Sequence, residues 1–192
     1  MKKNLLVLTL SIVFGFTATA TEPKGKEKKV VKTSESRVTW KAYKATGSHN
    51  GTVDLKSGSL LFEEGKLIGG DFTVDMSSLI CTDLEGEYKG KLEGHLKSDD
   101  FFGVGKHSTS TLVFSKVVHK GKNSYEATGD LTIKGITKPV TFNISIYGSK
   151  ATATMKIDRT KYDIRYGSGS FFDNLGDKTI YDEFDLIVDL AF

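Results

Sequence analysis

The stretch YEATGDLTIKGITKPVTFNISIYGSKATATMKI, Tyr125–Ile157, decides the fold class. Tyr125, Ala127, Gly129, Leu131 and Ile133 recur at two-residue spacing, as do Val140, Phe142, Ile144 and Ile146, and, after Gly148, Ala151, Ala153, Met155 and Ile157. Successive side chains of a strand point to opposite faces, so each set shares one face and leaves Thr, Asp, Lys, Asn and Ser on the other. Strands of this kind joined by tight turns form an antiparallel sheet.

The pattern extends in both directions. Downstream, Phe184, Leu186, Val188, Leu190 and Phe192 form a last strand; upstream, Leu112 and Phe114 precede the quoted stretch. Val38, Trp40 and Ala42 share a face near the start, followed by a short, indistinct segment at Gly51–Leu55. Leu60 and Phe62, then Phe72, Val74 and Met76, continue the alternation, with a turn at Gly65 and a bulge at Gly69-Gly70. About eight short strands predict an all-β protein, a sheet curled into a barrel or a sandwich.

The segment His95–Phe114, HLKSDDFFGVGKHSTSTLVF, interrupts the alternation. Phe101 and Phe102 directly follow Asp99 and Asp100, so the chain passes from water to apolar contact within a residue or two, as a segment closing a hydrophobic compartment does. Just before it, Thr82 and Glu85 have capping-box spacing and Leu84, Tyr88, Leu92 and Leu96 recur every fourth residue. Gly86, Gly90 and Gly94 weaken such a helix by ~1 kcal/mol each relative to alanine. A short helix at the rim and an irregular loop both fit residues 82–96.

Alternation alone does not say which way the apolar face points. An outer-membrane barrel needs strands of ~9 to 11 residues with aromatic girdles, whereas most runs here alternate for six to nine. Short strands therefore favour an apolar interior, lined by Trp40, Phe72, Met76, Phe114, Leu131, Phe142, Ile144, Met155 and Leu186. Side chains either fill that interior or leave room for a ligand, and Ala127, Gly129, Ala151 and Ala153 mark where volume would be vacated.

Residues 1–20 read as a signal peptide: Lys2 and Lys3, the apolar run Leu5–Phe16, then Ala18-Thr19-Ala20. Residues 21–35 read as a flexible basic leader carrying Lys24, Lys26, Lys28, Lys29 and Lys32, either solvated or resting on an anionic lipid surface. Residues 36–192 remain for one domain. Lys2 and Lys3 leave with the signal and take the formal charge from +3 to +1, a balance that argues against a nucleic-acid partner. Cys81 is the sole cysteine, reads as a buried small hydrophobe, and excludes an internal disulfide.

Motifs for chemistry are missing. None of His49, His95, His107 and His119 stands at ligand spacing from another histidine or from Cys81, so no metal is expected. Asp99 and Asp100 diverge in side-chain direction, and Gly167–Ser170 lacks the helix and Lys-Ser/Thr of a phosphate loop. No nucleophile stands beside a base, and no cofactor is implied.

Three motifs, HLKSDDFF (His95–Phe102), GDLTIKGITKPVTF (Gly129–Phe142) and KIDRTKYDIRYGSGSFF (Lys156–Phe172), resemble the YceI-like family of exported lipocalin-like proteins. The resemblance implies an eight-stranded antiparallel barrel whose apolar pocket holds a polyisoprenoid or related fatty amphiphile. Phe101, Phe102, Phe171 and Phe172, from the first and third motifs, then join the lining, and Arg165 becomes a candidate for the ligand's polar head, with Arg159 fastening a strand end through Asp158 or Asp163. Two positions depart from the pattern: Ser108 replaces a proline, and Asp163 replaces a glycine after Tyr162. The expectation is a periplasmic carrier without catalysis; the alternatives are an enzyme acting on such a lipid through Tyr162–Tyr166, and an outer-membrane barrel.

Overall fold

The two-residue alternation becomes strands whose apolar sides all turn toward one axis. The computed structural model describes residues 25–192, so the expected signal at 1–20 lies outside the described residues. The strands are β1 (Glu27–Val30), β2 (Arg37–Lys44), β3 (Gly47–Glu63), β4 (Lys66–Cys81), β5 (Thr109–His119), β6 (Ser124–Ile133), β7 (Ile136–Tyr147), β8 (Lys150–Asp158) and β9 (Ile180–Ala191), with one helix, α1 (Gly86–Lys97). In space they run β1-β3-β2-β9-β8-β7-β6-β5-β4, and β4 returns to β3, so eight antiparallel strands close on themselves. Closure leaves β1 as a ninth strand laid on the far half of β3, pairing Glu27 with Phe62 and Val30 with Ser59.

Turn chemistry explains the connections. Glu64-Gly65 and Lys134-Gly135 both place two successive residues at positive φ, the two-residue hairpin turn whose twist matches its strands. The β3–β4 ladder shifts register between Thr52 and Asp54, Leu55 and Ser57, and Leu61 and Phe62; the last shift faces Gly69, where a bulge is expected. These bulges bend the longest hairpin around the lumen.

Several expectations change. The segment at Gly51–Leu55 belongs to the 17-residue β3. With β4 at 16 residues and β7 and β9 at 12 each, strand length does not set this barrel apart from one embedded in lipid. Orientation does: Leu131, Phe142, Ile144 and Val188 are buried inside, the reverse of an outer-membrane barrel. Nor is the leader loose from Glu27 onward. Val31 is buried, Lys28 pairs with Asp71 at 3.4 Å and Lys32 with Glu35 at 3.9 Å, and the Lys29 ammonium lies over the Phe62 ring. From Glu27 onward the leader is thus ordered against the barrel, with the Lys28 and Lys32 side chains still more than half exposed.

Residues 86–97 are helical, but Thr82 does not cap them. Its hydroxyl donates to the Asn50 side-chain oxygen at 2.9 Å, and the helix begins after Glu85 without a side-chain cap. Leu96 is buried, whereas Tyr88 is exposed, so only the C-terminal part of the helix leans on the barrel. Asp163 takes up the left-handed conformation, φ 57°, that a glycine would adopt there. Gly129 vacates no space: a Cβ on it would lie 2.9 Å from both Leu112 Cδ1 and the Val113 carbonyl. The close approach coincides with the β5–β6 register shift between Phe114 and Lys116.

Candidate functional site

The lumen contains two apolar chambers that meet at a waist. The lower, of ≈ 70 Å³, is lined by Phe72, Leu112, Phe114, Phe142, Ile144, Ala153, Met155, Val188 and Leu190, among others. The upper, of ≈ 110 Å³, is lined by Trp40, Val53, Met76, Leu79, Leu96, Phe101, Phe102, Ile133, Phe184 and neighbours. Val38, Val74, Ser110, Leu131 and Leu186 belong to both walls and form the waist. A vestibule of ≈ 200 Å³ between β2 and α1 shares Trp40, Ala42, Leu96, Phe101 and Ile180 with the upper chamber and adds Tyr43, Lys44, His49 and His95.

Aromatic rings shape both ends. Phe72, Phe114 and Phe142 pack in sequence at centroid distances of 5.7 and 5.4 Å and make one wall of the lower chamber. At the mouth, Tyr166, His95, Phe101, Phe102 and Phe184 form a chain of edge contacts from 4.4 to 6.4 Å. The turn after α1 sets the two phenylalanines inward: Phe101 N–H donates to the Ser98 carbonyl at 3.0 Å and Phe102 N–H to that of Leu96 at 3.1 Å. Lys106 bonds Asp99 at 2.7 Å and holds its carboxyl below the usual range, so the charged half of Asp-Asp-Phe-Phe is tied to the outside.

The predicted lining divides cleanly. Trp40, Phe72, Met76, Phe101, Phe102, Phe114, Leu131, Phe142, Ile144, Met155 and Leu186 line one chamber or both. Arg165, Phe171 and Phe172 do not. Arg165 is exposed, bonded to Asp163 at 2.9 Å and stacked on Phe171 with its guanidinium carbon 4.7 Å from the ring centroid. Phe171 and Phe172 stand in solvent on the loop that follows a 3₁₀ turn at Arg159–Tyr162, being 46% and 51% exposed. Of the four small residues expected to vacate volume, Ala153 alone faces a chamber; Ala127 and Ala151 are covered by neighbours.

Two lining groups escaped the sequence reading although alternation pointed to them. Arg159 continues the inward series Met155, Ile157 and is 2% exposed. Its guanidinium donates to the carbonyls of Tyr181 (3.1 Å), Ile164 (2.7 Å) and Ile180 (2.9 Å) and lies 3.6 Å from Asp182, instead of pairing with Asp158 or Asp163. Burial pulls its pKa down, against the Asp182 and Asp158 charges. Arg159 thus fastens the β9 entrance to the 3₁₀ turn while forming part of the upper wall. Ser110 precedes Leu112 and Phe114 on the same inward face; its hydroxyl is buried at the waist without a hydrogen-bond partner.

Chemically, the chambers are suited to holding hydrocarbon. The lower wall carries no titratable side chain among the described residues, and the upper has only Arg159 and Tyr181. Tyr162, considered for catalysis, is buried but lines neither chamber, and desolvation, reinforced by Asp158, pushes its phenol up to about 12. It keeps its proton at neutral pH.

Comparison with known proteins follows the same line. The YceI-like domain matches residues 30–192. A UPF0312 protein of Vibrio parahaemolyticus is 29% identical over 134 residues, 64% of this chain and 69% of that one. A UPF0312 protein of Vibrio campbellii is 32% identical over 99 residues, 52% of this chain, and the match spans about half of its length. Among solved structures, BcnA of Burkholderia cenocepacia superposes with a TM-score of 0.67 at 22% identity, over 84% of this chain and 99% of BcnA. A polyisoprenoid binding domain from Saccharophagus degradans gives 0.54 at 12% identity, over 84% and 97%. At these identities the two structures share the barrel fold.

Proposed function

The chain belongs to the YceI-like family, and from that premise we propose that it is an exported, periplasmic carrier that seats the hydrocarbon tail of a polyisoprenoid or related amphiphile in its lumen and releases it unchanged. The observation that carries this reading is the pair of joined apolar chambers. Hydrocarbon leaving water gains ~0.8 kcal/mol per CH₂, so each five-carbon isoprene unit contributes on the order of 4 kcal/mol before ordering costs. Met76 and Met155, on the chamber walls, can change rotamer to follow branching. The polyisoprenoid binding domain with the same fold supports this ligand class, and residues 1–20 support export.

Arg165 lies outside the lumen, so this reading seeks the head-group contact elsewhere. Ser110 offers an alternative. An unpartnered hydroxyl between two apolar chambers favours an amphiphile whose carbonyl or hydroxyl reaches the waist. An enzymatic reading has less support: Tyr162 is buried and lines neither chamber, and Arg165 faces solvent.

Native mass spectrometry of freshly purified protein, followed by lipid extraction, tests the reading. The expected result is one apolar ligand per chain, recovered chemically intact, from protein released with the periplasmic fraction. Protein that carries no lipid and takes none from isoprenoid-loaded vesicles would overturn it.

A further inference from the structure

We propose that His49, Cys81 and Asp83 form a binding site for one divalent transition-metal ion, with zinc(II) the best match to its donors. His49 stands far before Cys81 and Asp83 in sequence and meets them through strand register: Gly51, two residues after His49, pairs with Cys81, two residues before Asp83, across β3–β4. Their ligand atoms, one nitrogen, one sulfur and one carboxylate oxygen, all lie within 4.8 Å of one another. Nitrogen, thiolate and carboxylate are the donor types that zinc takes.

The present hydrogen bonds prefigure the ion. Cys81 Sγ–H donates to Asp83 Oδ1 at 2.9 Å, and His49 Nδ1–H donates to Asp83 Oδ2 at 3.2 Å. One carboxylate therefore draws two protons, from a thiol and an imidazole, and a dication would concentrate that positive charge at one point. Tetrahedral coordination at ~2.0–2.3 Å spaces donors roughly 3.3 to 3.7 Å apart, so the two hydrogen-bonded contacts open by less than about 1 Å while the His49–Cys81 pair, within 4.8 Å, draws in by about 1 Å at most. Binding releases the thiol proton and moves the ring proton from Nδ1 to Nε2 through solvent. Thiolate and carboxylate then carry two negative charges against the ion's two positive.

Backbone anchors hold the donors in place. Asn50 N–H donates to Asp83 Oδ1 at 3.2 Å, Thr82 N–H to the Asn50 carbonyl at 2.9 Å, and Cys81 N–H to Glu93 on α1 at 2.8 Å. Access comes from one side. Cys81 is fully buried, while the His49 and Asp83 side chains are 25% and 27% exposed. His49 also lines the vestibule, so three protein donors leave a fourth position open toward the mouth. None of the three ligands lines either apolar chamber.

The test uses the full chain, reduced and free of any added tag. Titration with zinc(II) in a calorimeter should show one equivalent bound, and cobalt(II) should produce a near-ultraviolet thiolate-to-metal band with the strong visible bands of tetrahedral cobalt. Cys81→Ser should abolish the thiolate band. His49→Gln and Asp83→Asn, which preserve shape, should each weaken zinc by at least about tenfold with the barrel's circular dichroism unchanged. If one variant fails to fold, the other two decide. The site is overturned if the native chain binds no ion saturably, if its cobalt complex lacks the thiolate band, or if the folded His49 and Asp83 variants bind zinc as the native chain does.

Discussion

Replacing Ala153 with leucine should separate stability from binding by moving them in opposite directions. Ala153 lies on β8 between Ile144 and Val188 and faces the lower chamber of ≈ 70 Å³. Three added carbons enter that space. An empty apolar cavity costs ~24 cal/mol per Å³, so filling this one recovers up to about 1.7 kcal/mol in the ligand-free protein. For a domain of this size that is a rise of about 3 to 7 °C in melting temperature. The same carbons occupy the seat of roughly one isoprene unit. Losing its contacts, about 2 to 3 kcal/mol after ordering costs, weakens binding roughly 30- to 140-fold.

Differential scanning calorimetry on delipidated protein reads the first effect, and lipid recovery after incubation with isoprenoid-loaded vesicles reads the second. Thr154→Leu, one residue along and pointing outward, should leave lipid recovery unchanged. An Ala153→Leu protein that melts no higher than the native chain and still recovers a full complement of lipid would refute the assignment of this chamber as both empty and functional.

Three further outcomes are expected. Ser110→Ala removes the orphan hydroxyl and should leave the ligand-free barrel as stable or more so, while costing an amphiphile with a carbonyl about 1 to 3 kcal/mol, roughly 5- to 150-fold, and a pure hydrocarbon nothing; equal effects on both ligands in a competition assay would exclude a polar contact at the waist. Gly51→Ala should destabilise the fold by more than about 2 kcal/mol in chemical denaturation, because a Cβ there collides with the Ile80 carbonyl and sits 2.6 Å from the Trp40 ring; a native denaturation midpoint would show that β3 and β4 can separate freely at that point. Tyr162 is neutral and buried in the folded state with its pKa raised from 10.0 to about 12, so the stabilisation is complete below pH 10 and is lost as pH climbs from 10 toward 12, on the order of 2 to 3 kcal/mol; Tyr162→Phe should flatten that part of the stability curve, and an unchanged slope would assign it to other groups.

The barrel was legible because its evidence is local. A two-residue period needs only neighbouring positions, and Tyr125–Ile133 and Ala151–Ile157 show it without a break. What closes the barrel is not local. The register of β3 against β4 depends on three irregularities in one ladder, and these arise from packing between residues up to 30 positions apart, such as Gly51 opposite Cys81. The indistinct look of Gly51–Leu55 has the same origin: Gly51 is required by Trp40 lying over it, a contact invisible from either residue alone. For the same reason His49, Cys81 and Asp83, spread over 35 positions, could not be joined before the fold was known.

Two pairs of adjacent phenylalanines show where composition stops being informative. Phe101-Phe102 and Phe171-Phe172 both follow short polar runs, Ser-Asp-Asp and Ser-Gly-Ser, and hydrophobicity predicts one fate for both. Both pairs are held by turn hydrogen bonds: the amides of the first bond the Ser98 and Leu96 carbonyls at the end of α1, a turn that aims the rings at the upper chamber, whereas both amides of the second bond the Ser168 carbonyl. The second follows a chain reversal at Gly167, φ 63°, whose carbonyl receives Ile180 N–H at 2.8 Å, so β9 itself occupies the inward position beside the mouth. Phe171 is left to stack under Arg165 and Phe172 to face water. A residue on an alternating strand inherits its direction from its neighbours, whereas a loop residue takes it from whichever backbone reaches the wall first. Here Ile180, Tyr181 and Phe184 already hold the wall beside the mouth, and the second pair stays outside it.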